Sequence, residues 1–392
     1  MATADWSKVE QAMAAASHGL DQPYSANAKP KHAFPGAVLL VSQAGEIKFL
    51  KSFGLRSLQP DLTQNAVFTV YDIASLTKPL ITTTLVSMAL QEGKLNLDWK
   101  VSRFLQDFGS LGKERITIRN LLNHSAGFSA TLPFYRDIEL ASQKSQSGVL
   151  RSRAATTMML NLISRSRIEN LPGKVALYSD LGFILLGVII EACYGGKTLD
   201  KLAYEKIIAP LKLESTGFID LSRVGKQGYE PDTSIIAPTE KCAWRKKILC
   251  GEVHDPNAWA MGGIAGHAGI FSTAYDVNKI TMELIRSYIG KSSFVNPEII
   301  RGFWTRDTSV AKSTWALGWD TPTQGLSTSG NYFSSASVGH LAFTGCSVWI
   351  DPTRELSVIL LANRIHPSAE NMLIREFRPK IHDLIMEVLG YS

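Results

Sequence analysis

The pattern of apolar and polar positions changes period twice in the first quarter of this chain. Residues 36–54, GAVLLVSQAGEIKFLKSFG, form two apolar runs around a glycine-containing turn at Gln43–Glu46, which predicts a β-hairpin. From about residue 75 to 92 the pattern becomes helical, and Gly93 is placed to cap the end of that helix. A strand pair followed by an apolar helix is therefore expected near the N-terminus.

The middle of the chain, about residues 96–280, is helical and rich in loops. Strands return with AFTGCSVWI (342–350) and LSVILLAN (356–363), and a closing helix with a kink at Pro379 is expected over 370–390. Shorter helical patterns are found at 5–17, 117–123, 150–165, 180–194 and 200–208.

Strands at both ends with helices between them predict an α+β (or α/β) fold. In this fold one antiparallel sheet, built from the N- and C-terminal segments and flanked by helices, carries an inserted and mostly helical domain. We expect residues 1–95 and 275–392 to form the sheet domain and residues 96–274 to form the inserted domain. An active-site cleft is expected between the two.

Composition excludes several classes of function. The 392 residues are 45% hydrophobic and carry a net charge of +6 from scattered basic residues, so no nucleic-acid surface is indicated. No apolar run approaches the ~18 residues that a membrane span needs. The first twenty residues, with Asp5 and Glu10 and no apolar core, do not match a secretion signal. A cytoplasmic protein is the expectation, although a trimmed exported form would look the same.

No metal or organic cofactor is predicted. The four cysteines have no zinc-binding spacing and are expected to be reduced thiols. His254, Asp255 and His267 lie in the glycine-rich segment 251–269, but their spacing matches neither a helical ligand pair nor a zinc finger.

The stretch YDIASLTKPL (71–80) carries the first candidate chemistry. If Ser75 opens a helix, Lys78 lies one turn further on the same face, and Pro79 is tolerated because it stands in the first turn. An amine whose pKa is lowered by partial burial would take the serine proton, and free N–H groups at the helix start would stabilise an oxyanion. The simpler alternative is a helix-capping serine and a solvated lysine.

Two other segments add possible partners. In LPGKVALYSDLGF (171–183), Tyr178 would act as a second acid or base and Asp180 would hold the lysine or the substrate. The alternative is a packed tyrosine at a helix start capped by Asp180. GHLAFTGCSVWIDP (339–352) carries His340 and small residues where a ligand would approach an apolar strand, although a plain core strand has the same pattern.

Taken in order, these motifs resemble those of the serine β-lactamase and penicillin-binding-protein superfamily, and most closely its class C β-lactamase-like branch, which includes esterases. The resemblance spans roughly residues 30 to 370. The motifs that carry it are ASLTKP (74–79), LLNHSAG (121–127), YSDLGF (178–183), AGIFSTAYD (268–276) and FTGCSVWIDP (343–352).

The resemblance implies a role for each matching residue. Ser75 would be the acylated nucleophile, Lys78 its base or proton relay, and Tyr178 the tyrosine that assists acylation and deacylation. The N–H groups of Ser75 and Phe343 would form the oxyanion hole. The substrate-binding residues it implies are Asp180, which replaces the usual asparagine and adds a negative charge near the lysine, together with His340 and Thr344.

The third motif departs from the family pattern of Lys/His-Thr-Gly, because His340-Leu341-Ala342 stands there. Leu341 lacks the hydroxyl that helps to hold a substrate carboxylate, a loss of about 1.5–3 kcal/mol in binding. The expected activity is therefore that of a serine hydrolase acting on small neutral esters or amides. The alternatives are a β-lactamase or D-alanyl-D-alanine carboxypeptidase, and a non-catalytic binding protein with this fold.

Two further interpretations concern a loop and a pair of tryptophans near the expected cleft. Residues 123–127 are interpreted as a loop beside the site, because no strand leads into them as a nucleophile elbow requires. Trp315 and Trp319 either line an apolar wall of the cleft or pack in the core.

Overall fold

The computed structural model describes residues 4–19, 30–145, 148–226, 228–323, 325 and 327–392. The strands are β1 (Gly36–Gln43), β2 (Glu46–Ser57), β3 (Thr63–Gln64), β4 (Tyr71–Asp72), β5 (Gly217–Phe218), β6 (Lys241–Cys242), β7 (Lys247–Ile248), β8 (Ile270–Ser272), β9 (Val338–Leu341), β10 (Ser347–Asp351) and β11 (Leu356–Ala362). The helices are α1 (Ser7–Ala16), α2 (Thr84–Gln91), α3 (Ile118–Leu122), α4 (Phe134–Ser145), α5 (Arg153–Arg165), α6 (Asp180–Cys193), α7 (Leu199–Ala203), α8 (Pro256–Ala260), α9 (Ala274–Tyr288), α10 (Pro297–Phe303) and α11 (Ile374–Val388).

The main sheet joins the two ends of the chain. Its strand order is β3-β2-β1-β11-β10-β9, and every neighbouring pair is antiparallel. The central pair brings β1 against β11, with Leu40 opposite Ile359. The predicted fold, an antiparallel sheet assembled from N- and C-terminal segments with helices between them, is confirmed.

Both faces of the central strands are buried, which explains why β1 is a continuous apolar run rather than an alternating one. Val38 and Leu40 belong to the large core that also contains the middle helices. Leu39 and Val41 point to the opposite face and pack with residues of α1 and α11. The sheet is therefore a middle layer with helices on both sides.

A second, smaller sheet leads into the candidate nucleophile. Strand β4 pairs with β8, and β8 pairs with β5, all antiparallel. Tyr71 and Asp72 are opposite Ser272 and Phe271, so the chain enters Ser75 from a fixed strand. This anchoring holds the start of the helical segment against the loop that precedes β8.

The prediction of one strand over 342–350 is wrong. Residues 338–341 and 347–351 are two antiparallel strands, β9 and β10, and residues 342–346 form the turn that joins them. The Ala342 N–H donates to the Cys346 carbonyl at 2.8 Å, and Gly345 has φ +117°, a backbone conformation that favours glycine. Because this turn is mostly apolar, the hydrophobic pattern did not distinguish it from a strand.

The predicted helices are mostly present, with altered local geometry. The segment at 75–92 opens with a 3₁₀ turn (Ala74–Leu76), continues as π-helix (Lys78–Thr83) and becomes α-helical in α2, with Gly93 at φ +66° after its end. The end of the pattern at 200–208 is likewise a π-helical segment, Tyr204–Ile208. Pro379 lies inside α11, as predicted for the closing helix.

Among the described residues, no helix combines the length and the apolar character of a membrane span. The division into a domain of residues 1–95 with 275–392 and a domain of residues 96–274 stays a prediction.

Candidate active site

The backbone around Ser75 is tightly constrained. Ala74 has φ +43°, a left-handed conformation that is uncommon for a residue other than glycine. The N–H of Ala74 donates to Asp72 Oδ1 at 2.9 Å, and Asp72 Oδ2 accepts the His254 N–H at 2.7 Å. The buried Asp72 carboxylate thus fixes the turn that presents the serine.

Ser75 lies between the two side chains that the sequence singled out. Lys78 Nζ is 3.1 Å from Ser75 Oγ, and Tyr178 Oη donates to the same oxygen at 2.8 Å. Tyr178 is 103 residues away in sequence, so only the fold brings it there. The three groups form one hydrogen-bonded set around a partly exposed hydroxyl.

Lys78 is fully buried and has an acceptor for each of its three N–H bonds. Besides Ser75 Oγ, these acceptors are Asp180 Oδ1 at 2.7 Å and the His267 carbonyl at 3.0 Å. Three acceptors and no donor are the environment of an ammonium group, so the resting form of Lys78 is charged.

The charge balance at Lys78 differs from the prediction that its pKa is lowered. Burial by itself lowers the pKa of the amine, but attraction to the Asp180 carboxylate and the interaction with Tyr178 outweigh burial and raise the pKa above its usual value. Burial also raises the pKa of Tyr178, to about 12, although the nearby Lys78 opposes that shift. Both groups therefore hold their protons at neutral pH.

Tyr178 is positioned by the loop that follows α3. The Leu177 N–H donates to the His124 carbonyl at 2.9 Å, and the Ser179 N–H donates to His124 Nδ1 at 3.1 Å. The ring of Tyr178 lies 4.8 Å from that of His124 and 5.8 Å from that of Trp315. The interpretation of residues 123–127 as a loop beside the site is confirmed.

The two tryptophans occupy different environments. Trp315 is partly exposed and stacks on Tyr178, whereas Trp319 is 1% exposed and packs edge-on against Trp304 in the core. Trp315 thus lies beside the candidate catalytic residues and Trp319 in the interior.

The β9–β10 hairpin brings the third motif towards Ser75. Thr344 Oγ1 donates to the Asp72 carbonyl at 2.8 Å, which ties the turn at 342–346 to the strand before the serine. This buried hydroxyl holds the turn, and the expectation that Thr344 binds substrate stays a prediction. Phe343 is 53% exposed, and its N–H donates to no group in the described part of the chain.

His340 is a neutral, buried imidazole rather than a cation. Its ring lies 6.0 Å from that of Tyr178, and its Nδ1 is 2.8 Å from the Leu341 carbonyl, so Nδ1 carries the proton. Burial, followed by repulsion from Lys78, lowers the pKa of His340 to about 3. The Nε2 atom is also buried, so in this conformation the ring shapes the wall behind Tyr178.

The glycine-rich loop 251–269 supplies a backbone contact to the candidate site. Its His267 presents a backbone carbonyl to Lys78, while His267 Nε2 pairs with Asp255 Oδ1 at 2.7 Å. Within the described ranges, no group of three or more His, Cys, Asp and Glu side chains is arranged to hold a metal ion. No side-chain pattern in the sequence predicts the role of a backbone carbonyl in this loop.

Comparison with known proteins identifies the family of this chain. The family model described as Beta-lactamase matches residues 7–378. A relative from Escherichia coli (strain K12), named "Putative D-alanyl-D-alanine carboxypeptidase", is 30% identical over 360 residues, covering 85% of this chain and 79% of the relative. The chain belongs to the β-lactamase family, a family of serine hydrolases.

Solved structures show the same fold. EstCE1, described as a hydrolase with promiscuous acyltransferase activity, superposes with a TM-score of 0.69 at 21% identity, covering 90% of this chain and 93% of its own. An octameric penicillin-binding protein homologue from Pyrococcus abyssi gives a TM-score of 0.66 at 20% identity, covering 92% of this chain and 74% of its own. At these identities the likeness concerns the fold.

Proposed function

We propose that this protein hydrolyses small neutral carboxylic esters or amides through an acyl-enzyme on Ser75. The observation that carries the proposal is the position of Ser75 Oγ, within hydrogen-bond distance of both Lys78 Nζ and Tyr178 Oη. A serine that served only as a helix cap would need neither group.

The proposed reaction has two steps with the same chemistry, acylation of Ser75 and hydrolysis of the acyl-enzyme. Ser75 Oγ attacks the carbonyl carbon and forms a tetrahedral oxyanion, which accepts hydrogen bonds from the N–H groups of Ser75 and Phe343. The serine proton passes to the Lys78–Tyr178 pair and then to the leaving alkoxide or amine as its bond to carbon breaks. Water then attacks the acyl-enzyme in the same way and releases the acid. Because Lys78 and Tyr178 are both protonated at rest, the pair must first lose one proton to act as a base.

The charges around Ser75 favour a neutral substrate. Asp180 lies 2.7 Å from Lys78 and offsets its charge, and the imidazole of His340 is neutral. Leu341 offers no hydroxyl to a carboxylate, which removes about 1.5–3 kcal/mol of binding and lowers affinity roughly ten- to a hundredfold. A substrate without a carboxylate loses nothing by these features.

The second candidate is a D-alanyl-D-alanine carboxypeptidase or β-lactamase. It is favoured by one specific observation, the name of the E. coli relative that shares 30% of its residues over most of this chain. Such substrates carry a carboxylate next to the scissile bond, and the groups described above do not supply a free cation for it.

The test combines labelling and a substrate panel. The protein is incubated with a fluorophosphonate, and mass spectrometry of its peptides is used to locate the adduct. Hydrolysis of p-nitrophenyl acetate and butyrate, a chromogenic cephalosporin and an N-acylated Lys-D-Ala-D-Ala peptide is then measured. We expect the adduct on Ser75 and a kcat/KM for the esters at least tenfold above those for the other two substrates.

The matched variants are Ser75→Ala and Ser293→Ala, the latter at an exposed serine. Ser75→Ala should lose the adduct and at least a thousandfold of ester hydrolysis, while Ser293→Ala should match the wild type. Hydrolysis that survives in Ser75→Ala would refute the acyl-enzyme. Preferred cleavage of the cephalosporin or release of D-alanine would assign the second function instead.

A further inference from the structure

Two arginines that have no role in the proposed reaction donate hydrogen bonds to the turn at 342–346. Arg364, two residues after β11, donates through Nε and Nη2 to the Phe343 carbonyl at 3.1 and 2.6 Å. Arg378, on α11, donates through Nη2 to the carbonyls of Gly345 at 2.7 Å and Cys346 at 3.1 Å. Four donated bonds therefore converge on one short turn.

These bonds fix the peptide groups on both sides of the Phe343 Cα. The carbonyl of Phe343 is held by Arg364, and the carbonyl of Ala342 accepts the Gly345 N–H at 3.1 Å with Arg378 Nη2 3.5 Å away. Since the Phe343 N–H belongs to the same peptide plane as the Ala342 carbonyl, its direction is set by these contacts. The guanidinium of Arg364 also lies 4.8 Å from the centre of the Phe343 ring.

The two guanidinium groups are buried without carboxylate partners. Arg364 is 4% exposed and Arg378 is 5% exposed, and neither forms an ion pair with an acidic side chain in the described ranges. Burial lowers the pKa of Arg378 to about 10 and, together with repulsion from Arg375, lowers that of Arg364, so both remain cations at neutral pH. Burying a positive charge is costly, and here the hydrogen bonds to backbone carbonyls offset part of that cost.

We propose that Arg364 and Arg378 are positioning residues for the oxyanion hole. They hold the 342–346 turn so that the Phe343 N–H points at the oxygen that becomes negative, and their two charges favour that negative charge. This inference rests on the proposed function, because it assumes that an oxyanion forms beside Ser75. A group that acts this way stabilises the transition state and leaves substrate binding nearly unchanged.

Kinetics of four variants test the inference. Arg364→Met and Arg378→Met remove a charge and its hydrogen bonds, whereas Arg364→Lys keeps the charge and the aliphatic stem and is the variant expected to fold most readily. Lys380→Gln removes an exposed charge from the same helix as Arg378 and is the matched control. Circular dichroism and thermal melting identify the variants that retain the native fold.

For p-nitrophenyl butyrate we expect kcat to fall by roughly ten- to a hundredfold in the two methionine variants, a smaller loss than that of a direct oxyanion donor. KM should stay within about threefold, and Ki for an alkyl boronic acid, which forms a tetrahedral adduct on serine, should rise by the same factor as kcat falls. Arg364→Lys should lie between wild type and Arg364→Met, and Lys380→Gln should match wild type. Folded variants with unchanged kcat, or with a change in KM alone, would overturn the inference.

A second measurement separates failure of this inference from failure of the proposed function. Labelling with ¹³C-carbonyl alanine and ¹⁵N-phenylalanine marks the two Ala–Phe peptides of the chain, Ala33–Phe34 and Ala342–Phe343. The amide signal that disappears in Phe343→Tyr is that of Ala342–Phe343, and it is compared in wild type, Arg364→Lys and Lys380→Gln. If wild type forms no adduct on Ser75, the proposed function fails. The arginines are then judged by this signal alone. If the chemical shift of this amide changes in Arg364→Lys but not in Lys380→Gln, Arg364 positions the turn. If the chemical shift is unchanged in both variants, positioning by Arg364 is refuted.

Discussion

The Asp180 carboxylate is the strongest of the influences that keep Lys78 protonated. The amine is fully buried, which disfavours its charge, yet its pKa is raised because Asp180 Oδ1 lies 2.7 Å away. Asparagine at position 180 would keep a hydrogen-bonding oxygen and remove the charge. The residue that replaces the usual asparagine of the family therefore controls how readily the site reaches its basic form.

Asp180→Asn should shift the rising limb of the pH–rate profile, where activity increases as Lys78 loses its proton, to lower pH. Without the carboxylate, burial is the main remaining influence on Lys78, so its pKa falls and the unprotonated form becomes available at lower pH. The plateau rate should drop by no more than about tenfold, because the amide oxygen still accepts a hydrogen bond. The measurement is kcat/KM for p-nitrophenyl butyrate between pH 5 and 10.

Asp61→Asn, at an exposed carboxylate, is the control and should retain the wild-type profile. An Asp180→Asn profile whose rising limb is not shifted would show that Lys78 is not the group that must lose its proton.

The sequence predicted which side chains lie around Ser75 better than it predicted their protonation states. Ser75 and Lys78 share one turn, so their proximity follows from spacing. Tyr178 and Asp180 came from a motif, but the ion pair joins positions 102 residues apart, and its strength depends on distance and burial. The His267 carbonyl was not predictable, since backbone oxygens leave no trace in side-chain identity.

Two glycines let the loop before β8 approach α6. A Cβ built on Gly266 would meet the Phe183 carbonyl oxygen at 2.2 Å and the Cα of Gly187 at 2.9 Å. The Gly266 carbonyl also accepts the Thr82 hydroxyl at 2.7 Å, which ties the loop to the π-helical segment after Lys78. The next residue, His267, supplies the carbonyl to Lys78. The close contact between Gly266 and α6 therefore also positions the carbonyl that accepts a hydrogen bond from Lys78.

Gly266→Ala should impair both stability and catalysis. The added methyl group forces the loop away from α6 at a cost of about 1–3 kcal/mol in the free energy of unfolding. The displaced His267 carbonyl then leaves Lys78 without one acceptor, so kcat should fall as well. Urea unfolding and kcat for p-nitrophenyl butyrate measure the two effects.

Gly302→Ala is the matched control, because Gly302 lies in α10 and an added Cβ meets nothing within 4 Å. Alanine there should leave kcat unchanged and increase the unfolding free energy by up to about 1 kcal/mol. Equal stability of Gly266→Ala and wild type would mean that the loop can move freely, contrary to the contacts described.

Elements with a clear period were predicted well, and irregular ones were not. The β1–β2 hairpin and α6 follow from long apolar runs bounded by turn residues. The β9–β10 turn was mistaken for strand because Ala342 and Phe343 continue the apolar run, whereas the φ of Gly345 and the Arg364 contacts belong to a turn. Such contacts come from distant parts of the chain.

On the scale of the molecule, the two ends of the chain meet in one sheet whose central strands are buried. Burial of both faces of β1 and β11 was predictable from their continuous apolar runs. The sequence did not reveal that histidines from several segments would be enclosed in the packed layers without charge. His124, His340, His366 and His382 are all buried, and burial lowers the pKa of each.

These histidines should make the folded state sensitive to mild acid. An unfolded histidine has a pKa near ~6.5, whereas the folded values are about 4 for His366 and His382 and about 3 for His340. The unfolded chain therefore binds more protons below about pH 6.5, and the unfolding free energy falls with pH by about 1.4 kcal/mol per pH unit for each histidine. The raised pKa values of Asp72 and Asp320 act in the opposite direction but involve fewer groups.

His382→Gln isolates one of these contributions. His382 Nδ1 lies 2.8 Å from the Thr328 carbonyl, a bond that a glutamine amide can replace without titrating. In urea unfolding between pH 8 and pH 4.5, wild type should be most stable at and above about pH 7 and lose stability steeply below 6.5. The variant should show a slope smaller by about 1.4 kcal/mol per pH unit. Identical slopes for the two proteins would mean that His382 takes up its proton without unfolding, and that its buried position tolerates the charge.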